Sequence, residues 1–217
     1  FNSTGFSTTT ADFKVNNSQY DYASWTFKKK AKFFDVVTYT GTGVAGLTVS
    51  HNLGSVPGMI LLKRTDTTSG WRVYHRSANG GTNPEQYYAM IQSTNAFAAA
   101  STVWNNTVPT DSVFTVGTDG DSNTNGGTYV AYLFAHETDD KSMIKCGGYT
   151  GNGSATGPVI NLGWEPQWVL VKKSSDSDNW YIFDSMRGFV TGANDQALYP
   201  NNSSAEVSTT YGSLTAT

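Results

Sequence analysis

The chain has little with which to do covalent or metal chemistry. One cysteine, Cys146, excludes an intrachain disulfide, and no grouping of Cys and His has the spacing of a zinc site. Three histidines, His51, His75 and His136, are the whole imidazole inventory for acid–base work near neutral pH. Charged residues make up 14% of the 217 and the net charge is −3, so the basic surface that nucleic acid requires is missing. No apolar run approaches the roughly 18 residues that cross a bilayer, and no secretory leader pattern is visible, so no membrane insertion is expected. Long helical periodicity is absent too, since the alanine-rich Asn95–Ser101 stretch is too short to stand alone as a helix.

What is present is turn chemistry. Twenty-two glycines, with Ser, Thr and Asn, separate short apolar runs, the composition of short strands joined by many turns. The chain also repeats itself. Tyr39-Thr40-Gly41-Thr42-Gly43, Asn52-Leu53-Gly54 and Met59-Ile60-Leu61-Leu62-Lys63-Arg64 reappear as Tyr149-Thr150-Gly151-Asn152-Gly153, Asn161-Leu162-Gly163 and Trp168-Val169-Leu170-Val171-Lys172-Lys173, roughly 110 residues further on. Trp71-Arg72-Val73-Tyr74 corresponds to Trp180-Tyr181-Ile182-Phe183, and Ser101–Trp104 to Ser208–Tyr211. Upstream, Tyr22–Phe27 corresponds to Tyr129–Phe134, and Phe6 to Phe114. Two units in the same phase follow, residues 1–110 and 111–217. Domains of this size are ordinary, and each can bury a modest core.

Alternation places strands at Gly5–Thr10, Tyr20–Phe27, Asp35–Thr40, Leu47–Ser50, Met59–Arg64, Trp71–His75 and Tyr87–Ile91, with Val103–Trp104 as a short last one. In Tyr20–Phe27 the residues Ala23, Trp25 and Phe27 share one face, and Trp25 is expected in the core. The fold class predicted is all-β, two tandem antiparallel β-sandwich units, jelly-roll-like. Lys28, Lys29, Lys30 and Lys32 stand where the second unit has the mostly acidic His136–Lys141. A solvated loop or lysine-blunted sheet edge is the expectation, and a head-to-tail electrostatic contact is the sharper alternative.

No catalytic constellation emerges. None of the histidines is duplicated in the other unit, with Asp184 standing where His75 does, and the chain is read as a non-enzyme. Gly41-Thr42-Gly43 lacks the third glycine and following helix of a dinucleotide loop. Asp119, Asp121, Asn123 and Asn125 alternate as in the first half of a calcium loop, and they are the candidate metal ligands. The twelfth position would be Tyr132, which excludes an EF-hand, and a hairpin turn is the favoured reading. No cofactor other than that Ca2+ is expected. Among six tryptophans and twelve tyrosines, Trp71 and Trp180 read as core, and Trp164 and Trp104, near loops, are the candidate glycan contacts.

The string Phe33–Gly43, then His51–Ile60, Trp71–Arg76, Trp104, Val113–Gly117 and Thr128–Tyr132, resembles a repeat found in structural proteins of marine tailed phages, especially those infecting cyanobacteria. The resemblance covers most of the chain and carries no known catalytic residues. It implies a virion fibre or appendage of tail-fibre type, attaching to a host surface glycan or protein. Its partners would be other virion proteins and copies of itself, a homo-oligomer with a trimer as the commonest form in that class. A capsid-attached fibre or decoration protein is the alternative. A polysaccharide depolymerase would draw on Asp66, Asp111, Asp176, Asp178 and Asp184, and would need two of those carboxylates about 5 to 10 Å apart.

Overall fold

The computed structural model describes residues 4–8, 14–139, 142–154, 157–189 and 195–210. The fold is mostly β, built from several small antiparallel sheets. The largest holds β1 (Phe34–Thr40), β8 (Thr128–Ala135), β3 (Pro57–Arg64) and β4 (Trp71–His75), in that order. Beside it β2 (Leu47–Ser50) pairs with β7 (Val113–Val116), and β5 (Tyr87–Tyr88) with β6 (Ala98–Ala99). Further along, β9 (Trp168–Lys172) pairs with β10 (Trp180–Asp184), and β11 (Asp195–Ala197) with β12 (Val207–Thr209).

β3 and β8 are apolar almost throughout because both faces of their sheet are covered. One face carries Ile60, Leu62, Tyr74, Tyr129, Ala131 and Leu133, which pack against Val49, Phe114 and Val116 of the β2–β7 pair and against Trp104. The other carries Phe34, Met59, Val73 and Phe134, sealed by Cys146 and by Trp180 from the second half of the chain. Each large apolar side chain buried this way contributes about 1.5–3 kcal/mol. Trp180 fastens the halves further, its indole N–H donating to the Met90 carbonyl at 3.1 Å. A smaller cluster of Phe183, Phe189 and Ala197 forms the core of the second half.

The glycines of the repeated turn have distinct jobs. Gly41 abuts the backbone carbonyl of Thr124, so a side chain there has no room, while Gly43 takes φ +71°. Gly58 lets Cys146 and His136 lie directly on β3, at the point where the β3–β8 register shifts between Pro57 and Met59.

Several expectations are corrected. β7 and β8 lie beyond residue 110, yet β7 pairs with β2 and β8 sits between β1 and β3. The unit that folds here therefore crosses the boundary expected between 110 and 111, because the repeat's sequence phase and its folding phase differ. Val103–Trp104 closes a four-residue helix, α1 (Ser101–Trp104), which turns Trp104 into the core and ends at Asn105 with φ 55°. Tyr20–Phe27 forms no strand, and Trp25 is 39% exposed, with the Arg187 guanidinium 5.6 Å over its ring. Residues 5–8 form no strand either, and 9–10 lie outside the described residues.

Candidate functional site

The two halves meet along a cleft of about 330 Å³ lined by Asn79, Gly80, Tyr87, Phe97, Ser174 and Ser175. Its walls come from different units and are pinned by backbone bonds. The Phe97 N–H donates to the Ser174 carbonyl at 3.0 Å, and the Asp178 N–H to the Thr94 carbonyl at 2.9 Å. Asn79 and Gly80 both take positive φ, 51° and 66°, so the tight turn they make forms one rim. On the other rim Lys173 pairs with Asp178 at 3.2 Å and with Asp176 at 3.6 Å, one ammonium offsetting part of the charge of two carboxylates. The Asp178 carboxyl lies below its ordinary range, chiefly because the Tyr181 hydroxyl donates to it, with Lys173 adding to the effect. Two half-buried aromatic rings, an amide and two hydroxyls face a shallow concavity. Such a lining suits an uncharged, hydroxyl-rich ligand that stacks on rings.

The predicted metal ligands take another role. Asp119 caps the short helix α2 (Gly120–Asn123), accepting from the Asp121 N–H at 3.0 Å. Arg72 gathers both acids, 3.2 Å to Asp119 and 2.9 Å to Asp121, and the Ser69 hydroxyl reaches Asp121 at 2.5 Å. Asn123 is fully buried. Its amide donates to the Val44 and Gly117 carbonyls, and its oxygen accepts from Thr42 and Gly43 N–H. Asn125 is exposed at the rim. These groups tie the repeated Tyr-Thr-Gly-x-Gly turn to the end of the sheet. Among the described residues no cluster of three or more His, Cys, Asp or Glu could hold a metal ion.

Trp104, a predicted glycan contact, is 2% exposed and stacks edge-on against Tyr74, so it cannot meet a sugar. Trp164 stays half-buried on its loop, its N–H 3.5 Å from the Ser142 hydroxyl. Trp180 is core, as expected, whereas Trp71 is only half-buried and stacks on Tyr132. Of the carboxylates a depolymerase would draw on, Asp66 pairs with Arg64, Asp184 pairs with Arg187, and Asp176 and Asp178 share Lys173.

The histidines are held by main chain. His51 Nδ1 accepts from Leu53 N–H, His75 Nδ1 from Ser77 N–H, and His136 Nδ1 from Cys146 N–H. Burial holds His75 down to about 4, with Arg76 and His136 adding to the shift. Burial likewise pushes the Cys146 thiol up to about 12, leaving it inert.

A family model described as Domain of unknown function (DUF7483) matches residues 1–215. The chain belongs to this family. No curated protein and no solved structure matches it. In this DUF7483 chain the family span embraces both repeat units, including Tyr22–Phe27 at one end and β9 to β12 at the other. The cleft residues Tyr87 and Phe97 are the ones sequence reasoning missed. Tyr87 stands at the start of a predicted strand, and nothing local to Phe97 signals that its N–H meets Ser174.

Proposed function

We propose that this chain is a segment of a phage virion fibre, of tail-fibre type, built of two tandem antiparallel jelly-roll-like β-sandwich units. It contributes to host-surface attachment by binding glycan, without catalysis. The observation that carries the binding reading is the cleft between the halves, where Tyr87 and Phe97 are flanked by Asn79, Ser174 and Ser175. The resemblance at Phe33–Gly43 and His51–Ile60 supports the virion setting. Fibres of that class are symmetric homo-oligomers docked on other virion proteins. Trp164, half-buried on its loop, is a second contact for sugar.

The test is retention of the fluorescently tagged chain on intact candidate host cells, before and after surface glycans are stripped. Glycan-dependent retention that Tyr87→Ala lowers about tenfold, at the scale of one lost stacking contact, supports attachment through the cleft. A folded protein that no candidate host retains contradicts attachment, leaving the capsid-attached structural role. Loss of polymer viscosity on incubation contradicts the absence of catalysis.

A further inference from the structure

In the first unit β8 is the keystone. It lies between β1 and β3, with Phe134 opposite Met59 and Tyr132 opposite Leu61. In the second unit β9 repeats β3, and β10 repeats β4. Yet β9 pairs only with β10 among the described strands. All five β9 residues are half-buried, whereas β3 is buried along most of its length. The second unit thus presents a sheet edge where the first has its central strand, and an open edge is a template for another strand.

The sequence that corresponds to β8 for this edge is Tyr22–Phe27, at the far end of the chain. Transferring the β8–β3 register sets Phe27 opposite Trp168 and Trp25 opposite Leu170. The structure already holds part of this arrangement. Phe27 meets Trp168 edge-on with ring centroids 6.4 Å apart, and Trp25 lies under Arg187, which follows β10. Phe27 also meets Phe134, its own counterpart in the repeat, at 5.8 Å and 90°. Equivalent residues touch where two units are related by a two-fold axis, and an open head-to-tail series does not bring them together. Of the two faces of the segment, Ala23, Trp25 and Phe27 correspond to Val130, Tyr132 and Phe134. In β8 that face, through Tyr132 and Phe134, packs in the cluster that also holds Trp180 and Leu170.

We propose that Tyr20–Phe27 adds to the free edge of β9 as the missing antiparallel strand within the same chain. The N-terminal segment thereby completes the C-terminal unit, and the two repeats close on each other as a pseudo-two-fold pair. This rests on the repeat and its register, and is independent of what the cleft binds. It also assigns Lys28–Lys32 a role as the link from the added strand into β1, matching the link after β8. Trp25 and Phe27 become buried on pairing, which removes their exposure.

Two measurements on the full chain test it. In a Cys146→Ser background, Trp25→Cys with Leu170→Cys forms an intrachain disulfide under mild oxidation, read as a monomeric species of increased gel mobility. The out-of-register pair Thr26→Cys with Leu170→Cys does not. In the unmodified protein, hydrogen exchange at Trp168–Lys172 is slowed on the order of 100-fold relative to an open strand edge, approaching that of Met59–Lys63. Freely exchanging β9 amides overturn the proposal even if the disulfide variants fail to fold. Crosslinked dimers or ladders overturn it in favour of strand exchange with a second copy. An intrachain crosslink formed equally well by the out-of-register pair overturns the register and with it the strand.

Discussion

Arg72 holds Asp119 and Asp121 on one guanidinium, Nε lying 3.2 Å from Asp119 and Nη2 2.9 Å from Asp121. The same guanidinium lies 5.0 Å from the Tyr88 ring centroid, so one side chain from β4 ties the loop after β7 to β5. Replacing it leaves two carboxylates together without a counter-charge. Arg72→Met is expected to cost about 2 kcal/mol, less than a fully buried pair because both acids are partly exposed. The midpoint of urea unfolding checks this. Millimolar calcium should leave the thermal midpoint of the unaltered protein where it is, and raise that of Arg72→Met, whose two acids are released to bind a cation.

Trp104 fills the space between the four-stranded sheet and the β2–β7 pair. Trp104→Ala should destabilise by about 3–5 kcal/mol, and Trp104→Phe by less, since the cavity left is smaller. Folded Trp104→Phe should bind host cells as the unaltered chain does. A selective loss of retention in that variant would return Trp104 to the glycan surface.

Gly117 abuts the Thr102 carbonyl, a backbone group with little freedom to move. Gly117→Ala should cost about 1–3 kcal/mol through overpacking. Gly151, in the repeated turn of the second unit, has open space where a Cβ would stand, and Gly151→Ala should change stability by no more than about 0.5 kcal/mol. Thermal melts of the two variants side by side decide the point.

Acid should weaken the fold before the carboxylates titrate. Burial lowers the pKa of His51, though the nearby Asp35 opposes it, and burial lowers that of His136 as well. His75 is the most depressed, at about 4 against an ordinary 6.5. In the unfolded chain these imidazoles take up protons near 6.5, and in the folded chain they do not. The stability they contribute is therefore complete above pH 6.5 and is lost as pH falls toward 4. Denaturant midpoints at pH 7.5 and 4.5 should differ in that direction, and His75→Gln should narrow the gap.

Much of the first unit is legible in the sequence. Leu47–Ser50 and Trp71–His75 are strands at the expected residues, and β1 and β3 extend theirs by one and two residues at the N-terminal end. The period-two alternation and the glycine turns that bound them are local signals, carried by residues that are neighbours in sequence. The two glycines of the Tyr-Thr-Gly-x-Gly turn likewise show the close approach and the positive φ that their type allows.

What was not legible depends on partners far away in the chain. Trp104 and its loop looked exposed because Asn105 and Asn106 follow it, and only the packing of α1 under the sheet puts the ring inside. Asp119, Asp121 and Asn123 have the composition of a cation loop, and Arg72, brought beside the two acids by β4, is a partner that the local sequence does not reveal.

The sequence by itself determined the repeat, the antiparallel β character and most strand positions of the first unit, because each is written in the order and spacing of near neighbours. Tertiary structure alone decided which strands share a sheet. Tyr129–Phe134 and Tyr22–Phe27 carry the same pattern, yet the first lies in a central strand and the second carries none of the ladder bonds that define the sheet, since a strand exists only where another edge meets its backbone groups.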